Sequence, residues 1–338
     1  MSGGIIVSIA NNVYNTLYGD IQGPMKALLE QAYEGSRKEQ LTLWEKIFKP
    51  FKLDTNSATI AGIGTIGLFE DVGENGEYPL TSPGGGFNKV ITAEEWKLAY
   101  YISQTMMEDK LDFVLRDQPG RLTDSFVRTK NSFYCGLFNA AAKGVDYVTS
   151  KKHKISIKTM DGVNLFSSNH KLANDRRTVS NAFSNEFSAS ALGKVATKMQ
   201  NMRDDNGEII GIVPNTIIIP NTEKAKSEVF GVIGAHNDPD TQAGNRYNYQ
   251  FGNWDVLVLP WLEELVAADG SYPWFLMDTN YNEHNYGALA VERIPLSVRS
   301  SIDESNDANR WAGRARFGGA FVDFRAFAGG GLEYGDEL

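Results

Sequence analysis

Cysteine is almost absent from this chain: Cys135 is the only one among 338 residues. A single thiol excludes an intrachain disulfide and every multi-cysteine zinc motif, and it suits a reducing compartment. Its place among helically spaced apolar residues reads as a core thiol, not a nucleophile. Histidine is nearly as scarce, with His153, His170, His236 and His284 scattered and none in an HExxH or comparable signature. Nowhere do about 18 apolar residues run uninterrupted, and the opening MSGGIIVSIANNV lacks the basic leader and apolar stretch of a secretory signal. The expectation is a soluble, cytoplasmic chain. Positive charge is in deficit, with 33 Lys and Arg against 42 Asp and Glu and a net charge of −9. That balance argues against a protein built to grip nucleic acid or an anionic membrane, because counterion release needs clustered cations. The tetrad KKHK at Lys151 to Lys154 reads as a solvated loop.

Catalytic signatures are missing as well. No G-x-x-x-x-G-K-[ST] or G-x-S-x-G occurs. Gly62, Gly64 and Gly67 match G-x-G-x-x-G, but the LFEDVGENGEYP that follows is too rich in turn formers to open the helix a pyrophosphate needs. Asp303, Ser305, Asp307 and Asn309 imitate the start of a calcium loop, yet Ala308 stands in place of the turn glycine and Arg314 in place of the bidentate glutamate. His236 with Asp238 and Asp240 reads as an exposed turn around Pro239, since no second histidine stands at ligand spacing. No catalytic, cofactor-binding or metal residue is assigned.

What is present is a mixture of helix and strand. Length suggests two domains, each able to bury its own core. Residues 57–105 read as one long β-hairpin. SATIAGIGTIGLFED goes out, a glycine-rich tip turns, and a period-two arm with Val90, Thr92, Glu94, Trp96, Leu98, Tyr100 and Ile102 on one face returns. At about 3.3 Å per residue its arms and tip project about 40 Å or more, too far for one small domain to cover, so the hairpin is expected to lie on another subunit. Amphipathic helices GPMKALLEQAYEG and KEQLTLWEKIF precede it. Pro119 opens a long helix to Gly144 whose Leu122, Phe126, Phe133, Leu137 and Ala141 share a stripe beside Val127, Tyr134 and Phe138. Ser188 caps a second helix and Asn221 a third. IIGIV, NTIIIP, WDVLVLP and YPWFLMD read as strands, the last continuing through NYNEHNYGALAVERIPLSV. Gly318 and Gly319 suit a tight hairpin turn between two closing strands, and the final LEYGDEL a loose acidic end.

Taken in order, IVPNTIIIPNTEKAKSEVFGVIG, NYQFGNWDVLVLPWL, GSYPWFLMD, ALAVERIPLSV and RARFGGAFVDFRAF resemble the closing segments of tailed-bacteriophage major capsid proteins of the Mu-like major head subunit group. The resemblance covers nearly the whole chain and implies an α+β Hong Kong 97-type fold. It implies an N-terminal arm at 1–56, an extended loop at 57–105, and a peripheral domain at 106–220 with a spine helix at 119–144. An axial domain at 221–296 and closing peripheral strands with a tail at 297–338 complete it. The implied function is structural: pentamers and hexamers that close into an icosahedral shell around double-stranded DNA, without sequence-specific binding, in a virion assembled in the host cytoplasm. A separate scaffolding protein, a portal and decoration proteins are the implied partners. Some relatives crosslink neighbours through an extended-loop lysine. Lys89 is the lysine near the tip here, but no matching asparagine or glutamate is identified, and it reads as solvated or salt-bridged.

A shell subunit must offer surfaces that repeat and close. The acidic run Glu70, Asp71, Glu74 and Glu77 has two readings: it crosses a neighbour to meet Arg314 and Arg316, or it keeps the loop soluble. Two other functions stay open. One is a nanocompartment shell of the same fold around a cargo enzyme. The other is an enzyme acting on a polymer across Trp261, Trp274 and Trp311, aromatics that read first as core or interface.

Overall fold

The computed structural model describes residues 43–63, 71, 85–103, 105, 112–234, 248–303 and 308–338. Two four-stranded sheets are joined by one long helix. The first sheet has the order β1-β12-β13-β4, formed by β1 (Lys49–Lys52), β12 (Ala288–Asp303), β13 (Ala308–Phe321) and β4 (Glu94–Ile102). β1 runs parallel to β12, and the other two pairings are antiparallel. The second has the order β10-β9-β11-β14, from β10 (Asp255–Leu259), β9 (Thr216–Pro220), β11 (Trp274–Met277) and β14 (Phe327–Gly330). β9, β11 and β14 are buried at every residue, which is why TIIIP and WFLM read as unbroken apolar runs instead of alternating ones. In sequence the hairpin β2 (Ser57–Ile63) with β3 (Gly85–Thr92) lies between β1 and β4, and two short pairs, β5 (Tyr147–Val148) with β6 (Lys154–Ile155) and β7 (His170–Lys171) with β8 (Thr178–Val179), lie between β4 and β9.

The long helix α1 (Asp112–Lys143) buries the stripe its sequence announces. Its middle meets the first sheet, where Phe133 sits edge-on to both Trp96 and Phe317, and Trp96 stacks on Phe317 with centroids 4.9 Å apart. Further along, Phe138 packs on Phe275 and Phe327 of the second sheet. One helix face therefore welds both sheets into a single core, and each aromatic pair adds about 0.5–1.5 kcal/mol beyond the area it buries. Lys130 lies buried in that face with its ammonium among the rings of Trp44, Phe126 and Phe317 and 2.8 Å from Glu292 of β12. Gly144, with φ +69°, ends the helix in the left-handed conformation expected of it. A second core gathers α2 (Ala189–Gln200) and α3 (Glu223–Gly234) against the second sheet. The Ser188 side chain caps α2, accepting from the Ala191 amide at 3.0 Å.

Several expectations from sequence are corrected. The return arm of the hairpin is not one strand. It breaks at Ala93, so β3 pairs with β2 while β4 pairs with β13, because Trp96 finds its partner on α1 and Phe317. Pro119 does not open a new helix. α1 begins at Asp112 and runs through it, forgoing one main-chain hydrogen bond. Gly318 and Gly319 form no turn but lie inside β13, where bulk is excluded: a Cβ at 318 would strike the Thr92 carbonyl, and one at 319 would come 2.7 Å from Leu137. IIGIV forms no strand, since Gly211 takes φ +75° and Ile209 and Val213 are exposed. A short helix α4 (Thr279–Asn285), capped by Asp278, interrupts the expected continuation of β11 into β12. The C-terminus is not loose: the Asp336 amide donates to Ala182 O at 2.9 Å and the Tyr334 hydroxyl to Ala142 O at 2.7 Å.

The boundary drawn at 220/221 separates β9 from its partners β10 and β11, and the one at 296/297 cuts through β12. Strand pairing joins pieces that are distant in sequence, so neither sheet maps onto a continuous stretch. Of the two early amphipathic helices only the end is described, with a 3-10 turn at Leu43–Lys46. His236, Asp238 and Asp240 lie outside the described residues.

Candidate assembly surface

Among the described residues the β2–β3 hairpin meets the body through an apolar cluster at its base and through Lys89. Ile91 and Ala93 are buried with Leu53, Leu289, Val291, Ala320 and Val322, and Ala58 and Ile60 pack partly against them. Away from that cluster Thr59, Ala61 and Asn88 are exposed and Val90 is 61% exposed. The glycine at 318 lets β13 approach Thr92 closely enough to seat this base.

Lys89 is neither freely solvated nor ion-paired in the ordinary sense. It is half-buried in β3 and its ammonium donates to the main-chain carbonyl of Lys158. Burial pushes its pKa down to about 8, against the opposing pull of Asp146 and Asp161. Arg314 and Arg316 stand on β13, as strands of the first sheet place them, but both are engaged within their own chain. Arg314 Nε bonds Glu95 at 2.5 Å, and Glu95 also pairs with Lys97 at 2.9 Å. Hydrogen bonds from Lys97 and Arg314 hold the Glu95 carboxyl below its usual range. Arg316 bonds the side chain of Asn56 and reaches Ala93 O at 3.4 Å, which ties β13 to the root of the hairpin. Of the acidic run, Asp71 is exposed, whereas Glu70, Glu74 and Glu77 lie outside the described residues.

The model of the phage capsid protein family matches residues 88–329, most of the chain. The chain belongs to the phage capsid protein family. It is therefore a structural shell protein of a phage head, located in the virion capsid. Among solved structures this capsid protein is similar to the capsid of Ralstonia phage GP4, at 11% identity over 81% of each chain with a TM-score of 0.50, a likeness of fold. It is also similar to the holo-SrpI encapsulin complex from Synechococcus elongatus, at 10% identity over 86% of each chain and TM-score 0.48. A third is the virus-like particle from Pyrococcus furiosus, at 9% identity over 90% of this chain and 98% of the other, TM-score 0.47. No curated protein matches it in sequence.

Residues with the look of catalysis take structural places in this capsid protein. Cys135 is fully buried and desolvation pushes its thiol up to about 12, which removes the thiolate a nucleophile needs. Trp274 is buried, with its indole N–H on Asn185 O at 3.2 Å. Lys151 to Lys154 are exposed, in the turn between β5 and β6 and at the first residue of β6.

Sequence reading missed a buried polar junction. His170 is fully buried and stacked on Phe324 with centroids 3.7 Å apart. Its Nδ1 lies 2.7 Å from Asp161, and its Nε2 3.2 Å from both Leu165 O and Asn181 Oδ1. Asn181 in turn donates to Leu165 O, Phe324 O and Phe327 O and accepts from the Ser167 amide. The junction ties the long irregular stretch after α1 to the strand that closes the second sheet. Its hydrogen-bonded partners are 5 to 146 residues apart in sequence and carry no spacing signal, so only a fold could reveal them.

Proposed function

We propose that this capsid protein builds an icosahedral head of the Hong Kong 97 type from pentamers and hexamers, with its β2–β3 hairpin laid across a neighbouring subunit. The observation that carries the reading is the hairpin itself, seated on its own body through Ile91 and Ala93 at the root, with Thr59, Ala61, Asn88 and Val90 exposed beyond it. An extended arm with one small apolar foothold leaves backbone and side chains that a second copy can cover. In this reading α1 is the spine helix, residues 221–287 together with β9 form the axial domain, and the first sheet, β12 included, forms the peripheral domain with the remaining segments. A separate scaffolding protein directs closure in the host cytoplasm, and a portal and decoration proteins complete the head. The net charge of −9 suits enclosing double-stranded DNA without sequence-specific grip, since phosphate neutralisation needs clustered cations. Lys89, anchored on Lys158 O, serves to fix the hairpin root.

Purified full-length protein, imaged by negative-stain electron microscopy beside size-exclusion chromatography, tests this. Rings, tubes or cages are expected, alone or with the protein encoded beside it. A monomer or dimer that persists under every assembly condition, with and without that protein, would overturn the reading. Cages filled with one co-purified protein would replace the phage head with a cargo compartment.

A further inference from the structure

The outer part of the first sheet separates two chemistries by strand alternation. On one face Trp96, Leu296 and Ala315 line a groove against Leu122 and Phe126 of α1. The opposite face carries Lys97, Tyr101, Arg299, Arg310 and Arg314, brought side by side because Arg314 is opposite Lys97, Arg310 opposite Tyr101, and Arg299 opposite Ala312. Lys97, Tyr101, Arg299 and Arg310 are exposed, and the Arg314 side chain is 41% exposed. Glu95 shares this surface, and its carboxylate is already divided between Lys97 and Arg314. Arg310 lies over the Tyr101 ring, 5.9 Å from its centroid. Among the described residues no carboxylate forms an ion pair with Arg299 or Arg310.

In a chain of net charge −9, such a face is a local excess of cation and selects an anion. The same chain carries the counterpart: residues 64–84 contain Glu70, Asp71, Glu74 and Glu77 and neither lysine nor arginine. We propose that the sheet face bearing Lys97, Arg299, Arg310 and Arg314 receives the Glu70 to Glu77 segment of a second copy, with Tyr101 packed alongside. This rests on the shell reading above and names the surface on which the neighbour's hairpin ends. Sizes agree. Lys97 to Tyr101 extends about 13 Å along β4 and three strands span about 10 Å, while the seven steps from Glu70 to Glu77 reach at most about 25 Å. Exposed pairs of this kind are individually weak, so the group of four sets partner, register and association rate more than it sets raw affinity. A patch and an acidic segment present once each in every copy favour this occupant over nucleic-acid phosphate, whose contacts would have no fixed ratio to the chain.

Two charge reversals in the full-length protein test the pairing: Arg299→Glu with Arg310→Glu on the face, and Glu70→Lys with Asp71→Lys on the segment. Each pair is expected to slow assembly about tenfold near 50 mM salt, with the difference shrinking near 0.5 M as screening sets in. All four together should restore assembly to within about threefold of the parent. A combined variant no better than the worse pair would overturn the proposal. Binding of a labelled peptide of residues 66–80 to the full-length protein is the second measurement, expected to saturate and to weaken about tenfold in the face variant. No saturable binding, or displacement by a short DNA duplex more effective than unlabelled peptide, would overturn it even where shells form. Shells that fail to form while the peptide still binds the face would instead indict the shell reading and leave the docking surface standing.

Discussion

Replacing Asn181 with alanine is the sharpest test of what holds this capsid protein together, because the side chain is wholly buried and every polar atom on it is used. Nδ2 donates to Leu165 O at 2.8 Å, Phe327 O at 3.1 Å and, more weakly, Phe324 O at 3.4 Å. Oδ1 accepts from the Ser167 amide at 2.9 Å and from His170 Nε2 at 3.2 Å. A buried group stranded by loss of its partner costs about 1–3 kcal/mol. Leu165 O and His170 keep each other, so the Ser167 amide and the Phe327 carbonyl bear most of the loss, with a cavity added. The sum is about 3–5 kcal/mol. Urea denaturation followed by far-ultraviolet circular dichroism and tryptophan fluorescence measures it. Asn181→Asp is the informative companion: it keeps the acceptor for Ser167 and His170 but turns a carboxylate oxygen towards three carbonyls, and should cost at least as much. An Asn181→Ala variant within about 0.5 kcal/mol of the parent would refute the view that this junction bears load.

Asp161 and Gly318 give two further outcomes. Burial raises the Asp161 carboxyl, but His170, Thr159 and the Val163 amide outweigh it and hold the group below its ordinary value. A depressed carboxylate contributes stability that is complete above the unfolded value near 3.9 and is lost as pH falls through the folded one. Asp161→Asn should therefore flatten the acid-side decline of the urea midpoint between about pH 5 and 3, and an unchanged slope would contradict the assignment. Gly318→Ala should destabilise by about 1–3 kcal/mol, because the new methyl meets the main chain of Thr92 instead of a movable side chain. A melting temperature equal to that of the parent would show that β13 and the hairpin root can part without cost.

What could be read directly were features whose cause is local. The apolar stripe of α1 is periodic, Ser188 is a cap by its own chemistry, and buried strands such as TIIIP need only hydrophobic density. The order of segments was enough to indicate a phage capsid protein. Partners were another matter. An alternating segment shows that it is strand but not which strand it pairs with, so Glu94 to Ile102 looked like hairpin until β13 claimed it. A pair of glycines permits both a turn and a close approach, and only the neighbours Thr92 and Leu137 decide between them. Acidic and basic residues announce charge but not address: Arg314 is met by Glu95 of its own chain, and the cations of the outer sheet face come from three strands that no sequence distance links. Sequence by itself determined the apolar stripe of α1, the Ser188 cap, buried strands such as TIIIP and the family, because these depend on residue type and short-range spacing. The tertiary structure alone decided pairing, the His170–Asp161–Asn181 junction and the charge of each surface, because these depend on contacts between segments that are far apart along the chain.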